Sequence, residues 1–156
     1  MKLSKVLLLL VLLFGGAYML LNWTGFDQYL ASTAVKHVQE LQDAANKGEA
    51  KDQFQLALAY DRGIGIKNDD AMAWKWYRLA ADQGYPMAQY NLGMMYYFGK
   101  GVEQDNVKAY QWIVLAAADD LDAATQAMNE LAKKIPQQQI SAALAAAKAW
   151  KLSHNK

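Results

Sequence analysis

The strongest constraint on this chain is a copy of part of itself. The stretch from Tyr60 to Ala81, YDRGIGIKNDDAMAWKWYRLAA, returns 36 positions later as YYFGKGVEQDNVKAYQWIVLAA, from Tyr96 to Ala117. At that one offset Tyr60 falls on Tyr96, Gly63 on Gly99, Gly65 on Gly101, Asp69 on Asp105, Ala73 on Ala109 and Trp76 on Trp112. Ala80 and Ala81 fall on Ala116 and Ala117. A generic helical composition does not place Trp, Tyr and Gly so consistently at a single spacing. A repeating unit of this size cannot bury its apolar face alone, so it must stack on its neighbours, and with helical copies the result is a solenoid.

Within each copy the residues read as helix, glycine turn, helix. The expected pairs are Asp52–Asp61 with Asp70–Gln83, and Met87–Phe98 with Asn106–Ala118. Asp69 and Asp105 stand where a helix begins, with carboxylates suited to cap free backbone N–H groups. Gly84 closes one helix and Pro86 opens the next, as their backbone preferences dictate. Upstream, Ala44, Ala45 and Gly48 sit one period before Ala80, Ala81 and Gly84, so residues 26–48 read as a worn capping helix. Glu40 replaces the tryptophan there, consistent with the more polar outer face of a terminal unit. Downstream, Ala124 falls on Ala88 and Met128 on Leu92, without the turn glycines. A helix from Asp122 to about Lys134 should end at Ile135-Pro136, and an alanine-rich helix should follow from Gln137 to Leu152.

The positions Ala88, Leu92, Gly93, Tyr96, Gly99, Gly101, Val102, Asp105, Lys108, Ala109, Trp112, Ala116 and Ala117 together resemble the Sel-one-like repeat, a relative of the tetratricopeptide repeat. The first copy departs from that pattern at Asp52, Ala57 and Met72. Residues Gln137–Trp150 are similar to the closing helix of many such arrays. The resemblance covers roughly Asp27 to Trp150 and implies an all-α fold, a short α/α superhelical solenoid, in a bacterial protein with an adaptor or binding role. The units are then 26–48 (cap), 49–85 (first repeat), 86–121 (second repeat) and 122–156 (partial repeat and capping helix).

The first 25 residues have a different character. Lys2 and Lys5 precede an apolar run from Val6 to Leu21, and no charge occurs between Lys5 and Asp27. Its eight leucines, two valines and Phe14 sum to about −3 to −6 kcal/mol for insertion. Residues 6–25 therefore read as a transmembrane signal-anchor, with residues 1–5 cytoplasmic and Trp23 in the interfacial belt. The repeat domain would face the periplasm or another extracytoplasmic space, on the inner membrane. Cleavage near Gly15-Gly16-Ala17, releasing a periplasmic protein, is the alternative. With no cysteine in the chain, lipoprotein processing, disulfides and thiolate metal sites are excluded.

Sixteen basic and fifteen acidic residues, for a net charge of +1, leave no basic stripe for nucleic acid. The aspartates Asp69, Asp70, Asp105, Asp119, Asp120 and Asp122 read as caps and solvated turns, without calcium-loop spacing. His37 and His154, the two histidines, are far apart and read as exposed. No nucleophile, metalloprotease or phosphate-loop motif is present, so no enzymatic activity and no cofactor are expected. Trp76, Trp112, Tyr60 and Tyr96 read as inter-helix packing, and Trp112→Ala is expected to cost about 3–5 kcal/mol.

Function is then expected on a surface that binds another protein. In the helix of Met87–Phe98 the core stripe is Ala88, Leu92, Gly93 and Tyr96, and the opposite stripe holds Asn91, Met94 and Phe98. The repeat period carries that stripe to Gln55, Leu58 and Arg62, and forward to Ala127, Glu130 and Lys134. Related arrays line their groove with such helices. The reading is a membrane-anchored interaction module. The alternatives are an immunity protein that binds a secreted effector toxin and, from another class, a cell-envelope hydrolase.

Overall fold

The computed structural model of the chain describes Thr33 and residues 36–154. The expected membrane segment, residues 6–25, lies outside the described residues, as do residues 1–5. Among the described residues no helix is long and apolar enough to cross a membrane.

Every element among the described residues is helical. After a helical segment at 36–45 (α1) come α2 (Ala50–Arg62), α3 (Asp70–Asp82), α4 (Pro86–Phe98), α5 (Asn106–Ala117), α6 (Asp122–Ala132) and α7 (Gln137–His154). The expected boundaries stand to within about two residues, the usual uncertainty at a fraying helix end. Helices α2 and α3 form one hairpin and α4 and α5 the next, and each hairpin packs on its neighbour through α3 against α4 and α5 against α6.

The two hairpin turns are built alike. Gly63 and Gly99 both stand at φ 68°, and each donates its N–H back into the last turn of the preceding helix. Asp69 accepts the Met72 N–H at 2.9 Å, and Asp105 accepts the Lys108 N–H at the same distance. The exposed carbonyls at the preceding helix end are closed by amide side chains one period apart. Asn68 donates to the Tyr60 and Asp61 carbonyls, and Gln104 donates to the Tyr97 carbonyl at 2.8 Å.

Small residues let the helices approach. A Cβ on Gly93 would lie 2.7 Å from Ile113 Cγ1 and 3.0 Å from the Ala109 carbonyl, so α4 and α5 meet there at backbone distance. Gly101 has φ 68°, and a Cβ there would fall 2.3 Å from the Asp70 carbonyl oxygen. The second turn therefore rests directly on the start of α3, in the preceding repeat. The packed interior includes Leu56, Tyr77, Leu92, Trp112, Ile113 and Leu115. Two glutamines one period apart, Gln53 and Gln89, are buried as well: Gln53 accepts from Gln83 at 2.8 Å, and Gln89 donates to the Ala81 carbonyl at 3.2 Å.

The C-terminal unit departs from a full hairpin. Helix α6 begins at Asp122, one period after Pro86, and packs on α5 as α4 packs on α3. Helix α7 lies along α5 instead of pairing with α6. Lys133–Pro136 joins the two in place of the longer turn with its two positive-φ glycines. Gln139 lies beside Asn106 and Val107 at the start of α5, while Trp150 meets Trp112 edge-on at 5.8 Å, so α7 and α5 run in the same direction. At the turn before α6, Asp120 takes φ 58° at the position equivalent to Gly84, a conformation that Asp tolerates better than most residues.

Candidate functional site

Two hollows flank α4, and they are the same place in successive repeats. The first, about 150 Å³, lies between α2 and α4. Tyr77 from α3 lines it, with Asp61 on one side, Asn91, Met94, Met95 and Phe98 on the other, and Lys100 from the second turn. The second, about 170 Å³, lies between α4 and α6 and is lined from α5 by Ile113. Met94, Tyr97 and Phe98 form one wall, and Ala127, Glu130, Leu131 and Lys134 the other. One period separates Asp61 from Tyr97, Tyr77 from Ile113, Asn91 from Ala127, Met94 from Glu130, Met95 from Leu131 and Phe98 from Lys134. Met94 and Phe98 line both hollows. Phe98 is 67% exposed.

The chemistry of the two hollows differs. In the first, the Tyr77 hydroxyl donates to Asp61 Oδ2 at 3.2 Å. The Lys100 ammonium bridges Asp61 and Asp70, lying 3.2 Å from Asp70 Oδ1. Burial, with the Asp61 charge behind it, raises the Tyr77 pKa well above that of a free phenol, so the hydroxyl stays a donor. The hydrogen bond to Asp61 raises the Lys100 pKa, against the opposing effect of burial. The second hollow has no such network. Tyr97, Ile113 and Leu131 make it apolar, with Glu130 paired to Lys133 at 2.7 Å and the Lys134 ammonium 5.9 Å from the Tyr97 ring centre.

Of the stripe expected from sequence, the structure gathers Asn91, Met94, Phe98, Glu130 and Lys134 around these hollows. Gln55, Leu58 and Arg62 line neither. Gln55 is exposed on α2, Leu58 is half-buried against the core and Arg62 is exposed at the helix end. The α2 side of the first hollow is instead taken by the Asp61–Lys100 bridge. Asp61, Tyr77 and Lys100 are absent from the expected set, and the available signal was that Lys100 has no like residue at its equivalent position, Ile64.

The aromatic assignment stands. Tyr60, Tyr96 and Trp112 are buried, and Trp76 is half-buried against the same core. His37 and His154 are exposed, with His154 stacked on Trp150 at 4.1 Å. Among the described residues no group of three or more His, Cys, Asp or Glu side chains could hold a metal ion. A larger cleft of about 390 Å³ opens between the end of α7 and the α3–α4 turn. It mixes Asp82, Asp119 and Lys151 around Trp150, and Asp82 is already held by Arg78 at 2.8 Å.

Stacked helical hairpins joined by repeated capped turns, with hollows between successive first helices, define an α-helical repeat protein built to present a groove. Residues 50–85 and 86–121 each match the Sel1 repeat. Such repeats generally mediate protein–protein interaction and are typically non-catalytic. Among solved structures, the chain is similar to a protective antigen of uropathogenic Escherichia coli strains displaying an SLR fold. The two share 36% identity at a TM-score of 0.74, over 77% of this chain and 26% of that one. It is also similar to a Sel1 repeat protein from Oxalobacter formigenes, at 39% identity and a TM-score of 0.56, over 58% of this chain and 26% of that one. The chain thus spans about a quarter of the length of each. No curated protein matches it.

Proposed function

We propose that the protein is an interaction module held at the inner membrane by residues 6–25, with its repeats outside the cytoplasm and its partner bound along the α4 groove. The observation that carries the binding reading is the pair of equivalent hollows sharing Met94 and Phe98, with the Phe98 ring left largely in water beside them. An apolar side chain exposed beside a built hollow is what a contact surface needs. The membrane placement rests on the uncharged apolar run after Lys2 and Lys5. An immunity role would use the same groove and differ only in what occupies it. A hydrolase reading draws no support from the groove, whose carboxylates Asp61 and Glu130 sit in separate hollows and are already paired with Lys100 and Lys133.

Crosslinking of the full chain in its membrane, followed by mass spectrometry, tests this reading. The Met94→Lys/Phe98→Glu double variant should fold, by circular dichroism, and lose the main crosslinked protein. A folded double variant that keeps every crosslink ends the groove assignment. Identification of the partner as a toxin or as an envelope component separates the two binding roles.

A further inference from the structure

Resting on that groove reading, we propose that the two hollows are neighbouring pockets for one extended peptide segment of the partner, taking a lysine or arginine beside Tyr77 and Asn91 and an apolar side chain against Ile113, three residues apart.

Size comes first. At about 150 and 170 Å³ each hollow is below the roughly 300–1,000 Å³ of small-molecule sites. Each suits a single large side chain. Hydrogen-bond accounting then sets the first occupant. The Lys100 charge is already met by two carboxylates, and the Tyr77 hydrogen is committed to Asp61. A carboxylate offers about four acceptor sites, and Asp61 uses two of them for these partners. Acceptors are therefore in excess, and an N–H-rich cation is the group that answers them. Arg62 is at the exposed end of α2 and does not line this hollow, so it takes none of these acceptors. The second hollow, with Ile113, Ala127 and Leu131 facing in, rewards an apolar side chain.

Spacing follows from α4, which stands between the pockets. A helix with its side chains is about 10–12 Å across, and a peptide extended as polyproline II rises about 3.1 Å per residue and returns its side chains to one face every third residue. Three residues then carry one side chain to each side of Met94 and Phe98. In a helical peptide the same three residues would advance only about 4.5 Å.

The test is selection of random dodecamer peptides, displayed on phage, against the full chain in detergent micelles. Enriched sequences should carry Leu, Ile, Met or Phe three residues from Lys or Arg. Asn91→Lys, which sets a cation in the first pocket, should weaken a synthetic copy of the winning peptide at least about tenfold. Ala127→Arg, which fills the second pocket, should do the same. If Ala127→Arg does not fold, Ala127→Met fills the pocket with an apolar chain and the same loss is expected. Peptides without the basic residue or that spacing, whose binding the Met94→Lys/Phe98→Glu variant still abolishes, overturn this assignment and leave the groove standing. Peptides that bind the double variant unchanged overturn both. Selection that enriches nothing overturns the peptide occupant, and self-association lost in the double variant assigns the groove to a second copy instead.

Discussion

Gly101 and Asp105 show how much one turn residue decides. Gly101 carries a positive φ and also lies against the Asp70 backbone, so Gly101→Ala must strain the turn and push two repeats apart. The left-handed conformation costs an ordinary residue about 1–2 kcal/mol, and overpacking adds about 1–3 kcal/mol. A loss of about 2–5 kcal/mol is expected in urea unfolding, against about 1–2 kcal/mol for Gly48→Ala, where φ is also positive but a Cβ meets nothing within 4 Å. At Asp105 burial works against the carboxylate, but the Lys108 amide and ammonium outweigh it and hold its pKa below the ordinary value. A depressed folded value means that the stability it contributes is complete above about pH 4 and is lost as pH falls through the folded pKa. Asp105→Ala should cost about 1 kcal/mol at neutral pH. Asp105→Asn keeps a capping oxygen, so it should cost less, and it should flatten the fall in stability as pH drops below about 4. Acid titrations followed by circular dichroism check both.

At the level of whole helices, what could be read from the sequence was whatever is local or periodic. Capping aspartates, positive-φ glycines and the 36-residue offset each act within a few residues or repeat in register, so all six bounded helices were legible. The 3.6-residue stripe of α4 placed Asn91, Met94 and Phe98 on one face, and the period carried it on to Glu130 and Lys134. The rest of the hollows was not legible, because Tyr77 and Ile113 come from the second helices and Lys100 reaches back across a repeat boundary to Asp61. Those contacts depend on how hairpins stack. Helix α7 escaped the pattern for a related reason: its partner is α5, which precedes it by a whole helix. Its Trp150 meets Trp112 edge-on and shares a cleft with Gly84, where a Cβ would stand 4.0 Å from the indole, so this strap lies beside both repeats. Trp150→Ala should cost about 2–4 kcal/mol, less than the same change at a fully buried tryptophan. The fall in thermal midpoint should be matched by a red shift in Trp112 emission as that ring meets water.

For the whole molecule, the contacts that join one repeat to the next decide how it should unfold. The Lys100 bridge, the Gly101 contact and the α7 strap all cross between repeats. Unfolding should therefore be one transition, with tryptophan emission and helicity lost at the same urea concentration. Two separated steps would show that the repeats are independent. The α4 wall shared by the two hollows has a further consequence. Met94 and Phe98 have side chains that rotate, and under the proposed binding a guest on one side would set the rotamers that a guest on the other side meets. The two sites cannot then be reassigned one at a time: a substitution chosen to widen one reshapes its neighbour. A chain of such repeats would gain specificity as overlapping pairs of side chains, so a partner that drifted at one position would have to be followed by changes at two helices.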